Sequence, residues 1–336
     1  MKTVDSLNIF LIIASLILAY FLPFELFLFS YAILGPLHYA TEINWLDKKN
    51  YFIKSKKWIY VFFILCLVIS TPHLFKLPYF VDFKNTSLIS IIIGWIRYLK
   101  STILLLCFLM AFILIYFNKA TSIVTFSIIS LIIALLISTF STSKIFLSIF
   151  LPTIIHVYLF TLLFMVYGTI NKKTTAGIIA IVLLIFVPLF VSLFPIKTLN
   201  YFVSNSTQNT FGATGMQNLN YYLATMLSQN NNGEFQLLSE IGLKIQIFVA
   251  FCYTYHYLNW FSKTSIIGWN KNISKSRIAI IIGIWLVSIA IYFYNYKVGL
   301  SALFFLSMLH VLYEFPLNIL TIKLIIQKLF YTKSVK

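Results

Sequence analysis

A chain of 336 residues with 60% hydrophobic and only 10% charged side chains, at a mean hydropathy of +0.93, lies far outside the range of soluble domains, in which about a quarter of residues are charged. The net charge of +17 does not point to nucleic acid, because the 25 Lys and Arg are scattered in short segments between apolar runs instead of gathering on a polar domain. Cys66, Cys107 and Cys252 sit inside apolar runs without paired spacing, which argues against a disulfide framework or a cysteine metal site. Composition therefore predicts an all-α, polytopic transmembrane helix bundle, a single integral membrane domain over residues 1–336.

A spanning helix takes roughly 20 mostly apolar residues. Runs of that kind fall near 7–22, 24–44, 57–73, 101–118, 120–139, 145–169, 175–194, 245–262, 277–295 and 299–322, about ten spans in all. The first run lacks a small-residue cleavage site and Pro23 leads straight into the next, so it reads as a retained helix. Lysine-rich short loops stay in the cytoplasm. Lys48, Lys49, Lys54, Lys56 and Lys57 follow the second run, Lys119 the fourth, and Lys172 and Lys173 the sixth. Lys263, Lys271, Lys275 and Arg277 follow the eighth, and Lys323, Lys328, Lys333 and Lys336 the tenth. Every even span then ends inside, and both termini are cytoplasmic.

Two segments are expected not to cross. Residues 87–100 are short and carry Trp95, Arg97 and Lys100, which predicts an interfacial or re-entrant helix on the outer side. Residues 195–244 are polar and Asn-rich, with Met216, Leu219, Leu223, Met226 and Leu227 at helical spacing, which predicts an outer loop holding a short amphipathic helix. Whether it covers a site or caps the bundle stays open.

The chemistry lies in the apolar runs. His38 and Glu42 are one helical turn apart near the start of the chain, and His310 and Glu314 repeat the spacing near its end. With His156 and His256, these histidines fall about 16 to 21 Å from the outer ends of even spans, near the midplane. A single intramembrane histidine is commonly a packing residue, but four at one depth are candidates for a shared metal, since ionisable groups there are costly and kept for function. Imidazole suits iron, copper, zinc and nickel. Glu42 and Glu314 would orient ligand histidines through the second ring N–H, or else carry protons. Glu240 and Lys244 read as a solvated ion pair, and His73 as interfacial. Tyr39, Tyr158, Tyr255 and Trp260 share the layer and could line a slot for a flat apolar ligand, while Pro36 is placed to open the helix just before His38.

Gly35-Pro36-Leu37-His38 with an acid four residues on, Ile154-Ile155-His156, Phe251-Cys252 leading to His256, and His310 followed by Glu314 together resemble the bacterial Brp/Blh-type beta-carotene 15,15'-dioxygenases. That resemblance implies a multi-pass protein of the bacterial inner membrane, in which histidine-bound Fe(2+) serves to split a carotenoid into retinal. It implies His38, His156, His256 and His310 as ligands, with membrane lipids and an apolar substrate as partners and no nucleic acid. Two departures stand out. Trp260 occupies the place of a further family histidine, and Val157 to Thr161 supply no acid where the family has one. The competing readings are a haem-binding electron-transfer protein with two of the histidines as axial ligands, and a proton-coupled transporter using the His/Glu pairs.

Overall fold

The computed structural model describes residues 2–80, 87–196, 203–227, 235–269 and 273–330, so Lys271, Lys333 and Lys336 of the topology reading lie outside the described residues. Every element among the described residues is helical. Apart from three short 3-10 turns at Asn50–Phe52, Lys56–Trp58 and Pro78–Phe80, these are in chain order α1 (Lys2–Phe21), α2 (Pro23–Phe29), a π turn (Ser30–Leu34), α3 (Gly35–Lys48), α4 (Ile59–Leu74), α5 (Ser87–Tyr116), α6 (Ala120–Ile137) and α7 (Ser141–Ile145). A π segment (Phe146–Phe160) leads into α8 (Thr161–Lys172), followed by α9 (Thr175–Leu193), α10 (Asn205–Thr214), α11 (Gln217–Met226), α12 (Glu240–Lys263), α13 (Lys275–Tyr294) and α14 (Tyr296–Phe330).

Eight of these stretches are long and apolar enough to cross a membrane, and they mark the chain as a membrane protein. Their outward faces are apolar: only 17% of the α6 window is buried, with Ile128, Ile132 and Leu136 exposed. The interior holds polar groups instead, among them four histidines and two glutamates. Residues 23–48 and α12 are absent from the eight because His38, Glu42, Gln246, His256 and Asn259 lower their mean hydropathy.

One expectation is corrected. Residues 87–100 do not form a separate interfacial helix, since α5 runs unbroken for 30 residues from Ser87 to Tyr116. Arg97 and Lys100 interrupt the apolar run but not the helical backbone, for both are good helix formers whose long stems carry the charge away from the axis. Lys100 reaches over the Phe304 ring, 5.8 Å from its centroid. The 195–244 connection holds two short helices, α10 and α11, in place of the single one expected; residues 197–202 and 228–234 lie outside the described residues.

The chain divides into two compact units, residues 1–38 with 157–297 and residues 39–156 with 298–336. In the first unit α12 is the central helix. It packs on α1, α2, the π turn, α9 and α11, and is buried nearly all round. A helix apolar on one face would not need this; a helix enclosed on every side must satisfy its polar groups internally. Gln246 therefore donates to the Pro23 carbonyl at 2.9 Å and accepts from Asn220 at 2.8 Å. Asn8 Oδ1 accepts from Asn259 at 2.7 Å and from the Tyr255 hydroxyl at 3.2 Å. The α12 start is fixed by Ser239, whose hydroxyl accepts from Gly242 N–H, and a Cβ at position 242 would collide with the Leu237 carbonyl. In the second unit α14 meets α4 through the Phe63–Phe305 ring contact and α5 through Phe108–Phe315.

Prolines account for the irregular turns. Pro36 has no N–H for the Ala32 carbonyl and its ring would clash there. The helix answers by widening over Ser30–Leu34, with the Gly35 N–H reaching back five residues to the Ser30 carbonyl. Trp285 closes the widened turn by donating its indole N–H to the Ile33 carbonyl at 2.8 Å. Pro152 sits likewise within the π segment that carries His156. Single π turns are rare and gather at functional sites.

Candidate metal centre

Each unit buries one pair of histidines. In the first, His38 of α3 and His256 of α12 point Nε2 at Nε2 across 3.1 Å, with ring centroids 4.7 Å apart and planes at 78°. In the second, His156 of the π segment and His310 of α14 repeat this arrangement, again with 3.1 Å between the Nε2 atoms, 5.0 Å between centroids and 71° between planes. All four side chains are at most 6% exposed. Together His38, His156, His256 and His310 form a buried group that could hold a metal ion. The sequence brought all four forward, and His73 stands apart as expected, stacked on Phe304 at 3.6 Å.

The far side of the rings decides which nitrogen is available. His256 Nδ1 lies 2.8 Å from the Thr161 hydroxyl, and that hydroxyl donates its only hydrogen to the Val157 carbonyl at 3.0 Å. Thr161 must then accept from Nδ1–H, which leaves the Nε2 of a neutral His256 with its lone pair directed at His38. Behind the His156 ring, Glu314 Oε2 lies 2.9 Å from Nδ1, both groups almost fully buried. An oxygen behind the rings of His256 and His156 favours Nε2 as the ligand atom of these two.

Glu314 was expected to stand by a ligand histidine, and the one it meets is His156 on the π segment, not its same-helix neighbour His310. Sequence spacing reveals only partners on the same helix. Thr161 was not among the site candidates, yet it stands in the Val157 to Thr161 stretch noted for its missing acid, and its hydroxyl supplies the acceptor there. The signal was present as the one polar side chain of that stretch with an oxygen other than Tyr158. Glu42 is 2% exposed on α3.

The aromatic residues divide. Tyr39 stacks on His310, centroids 4.2 Å apart at 21°, and Trp260 sets its edge to His38 at 5.5 Å. Trp260 thus packs against an imidazole of the first pair. The other two of the expected slot residues are tied elsewhere: Tyr158 donates to the Leu184 carbonyl at 2.8 Å, and the Tyr255 hydroxyl joins the Asn8 network. Glu240 and Lys244 pair at 3.1 Å. Cys66, Cys107 and Cys252 are free and buried, in keeping with a site without thiolates.

Fold and geometry define a helical membrane protein with a buried group of four imidazoles. Compared with protein-family models, curated proteins and solved structures, the chain matches none.

Proposed function

We propose that this protein is a multi-pass membrane oxygenase in which His38, His156, His256 and His310 hold one divalent iron ion, acting on a carotenoid or similar apolar polyene. The observation that carries the metal reading is the doubled pair geometry with oxygen acceptors behind His256 and His156. Two nitrogens about 2.1 Å from one ion lie about 3.0 Å apart at a right angle and about 3.4 Å apart at the tetrahedral angle. The 3.1 Å of each pair falls between the two. An all-nitrogen donor set without thiolate suits iron, and the resemblance to the Brp/Blh-type dioxygenases favours it over zinc or copper.

Iron, when bound, supplies the redox chemistry that lets dioxygen attack a polyene. The chain's own residues do the rest. Thr161 and Glu314 fix the proton on the Nδ1 atoms and hold the rings in register. Tyr39, Trp260 and Tyr257 enclose the imidazoles and keep water from them. The bacterial inner membrane is the setting this reading assigns.

Haem ligation fits the pairs less well. Axial nitrogens on one haem iron stand about 4 Å apart with the macrocycle between them, whereas each pair here closes to 3.1 Å. Metal analysis of the purified protein, combined with retinal detection in a carotene-producing host, tests the proposal. One iron per chain with retinal supports it; a Soret band would replace it with the haem reading, and neither metal nor haem with the transporter reading.

A further inference from the structure

Asn318 lies on α14 two turns beyond His310 and one turn beyond Glu314. It is 1% exposed, and among the described residues neither its Nδ2 nor its Oδ1 has a hydrogen-bond partner. A buried primary amide with both ends unmatched is costly, most of all in a membrane interior where no solvent can compensate. Among the described residues the buried amides of Asn8, Gln246 and Asn259 are hydrogen-bonded, and Asn220 donates to Gln246 while its Oδ1 has no partner; Asn318 is unmatched at both ends. The side chains of His310, Glu314, Asn318 and Thr321 are all buried and recur every three or four residues, so they share one side of α14. Along that side Asn318 is about 12 Å from His310, eight residues at about 1.5 Å each.

From this placement we propose that Asn318 is the specificity residue of the polyene site, and that the substrate carries a hydroxyl about 12 Å along its chain from the part that reaches the His156–His310 pair. A carboxamide offers a donor and an acceptor side by side. A hydroxyl answers both at once, accepting from Nδ2–H while donating to Oδ1. A hydrocarbon would leave both unmet, and a site built for a hydroxyl discriminates against the analogue that lacks it. The inference rests on the polyene reading given above and narrows it from hydrocarbons to alcohols of the same skeleton.

The test uses the full-length protein with its metal and two probes, beta-carotene and its ring-hydroxylated counterpart, with binding followed by tryptophan quenching. Wild type should bind the hydroxylated probe about tenfold more tightly, the worth of one to two net hydrogen bonds. Asn318→Leu should lose that preference while keeping its affinity for beta-carotene and its iron content. Should the leucine variant fail to fold, Asn318→Thr, smaller and still polar, should show a reduced preference. Equal affinities in wild type would overturn the substrate assignment and leave the polyene reading standing. A preference that survives Asn318→Leu would also overturn it and give the amide to a structural water. Binding of neither probe would overturn the polyene reading itself and this inference with it.

Discussion

The Thr161 hydroxyl stands 2.8 Å from Nδ1 of His256 with its own hydrogen already given to Val157, so a residue of modest polarity settles the tautomer of a buried imidazole. Substitution at Thr161 should therefore reach the metal without touching it. Thr161→Val keeps the shape and removes the acceptor, and metal affinity should fall about 10 to 100-fold. Thr161→Ser keeps the acceptor and should bind nearly as wild type. Metal titration of the purified variants distinguishes the two.

Glu314 offers the same test from the other pair. Glu314→Gln retains an oxygen acceptor for His156 and should weaken metal binding only partly, whereas Glu314→Ala should cost about 10 to 100-fold. If the carboxylate instead moves protons, the two variants should be equally damaging with metal content intact. Because Glu314 acts through His156, the losses from Glu314→Ala and His156→Ala should not add, which a double-mutant cycle measures.

Alanine at any one of His38, His156, His256 or His310 should lower bound iron well below one per chain, and alanine at His73 should leave it unchanged. Elemental analysis reads both. Since a ligand held only by the folded state stabilises it, removing iron with a chelator should lower the thermal midpoint, by an amount equivalent to about 2.7 kcal/mol when free metal stands at 100 times Kd.

Pro36→Ala returns an N–H to the Ala32 carbonyl and removes the clash that widens the Ser30–Leu34 turn. The helix should become more regular and the variant at least as heat-stable, while His38 swings away from His256 and metal affinity falls about tenfold or more. A variant that binds metal as wild type would show that the turn has no part in aiming His38.

The lysine pattern predicts that reporters fused after Lys173 and after Lys336 face the cytoplasm and that one near Asn231 faces the outside. A cytoplasmic reporter at Asn231 would reverse the orientation of the whole chain.

The four histidines were legible because charge-bearing groups are conspicuous against apolar runs and depth follows from counting residues. What joins them was legible only in part. Glu314 could be recognised as an orienting group but not its partner, since His156 belongs to a helix more than 150 positions away. Thr161 was visible as a polar side chain but not as a site residue, because threonine is ordinary in membrane helices and only its geometry gives it a role. Pro36 was rightly read as a local opening, but that the opening is a π turn depends on where the Gly35 N–H goes. The break at residues 87–100 was misread for a physical reason: hydropathy registers Arg97 and Lys100 as interruptions, while the backbone of α5 does not.

The π segment makes residue number itself a functional variable. A stretch wound this way accommodates more residues per turn than an α-helix, so the angular position of His156 depends on how many residues lie between Ser141 and itself. One residue corresponds to about 100° of rotation. Deleting a single apolar residue from Phe146 to Leu151 would let the helix tighten with hydrophobicity and span length almost unchanged, yet carry the imidazole about a quarter turn from His310. Divergence in this part of the chain should thus proceed by exchange of side chains and hardly ever by gain or loss of a position.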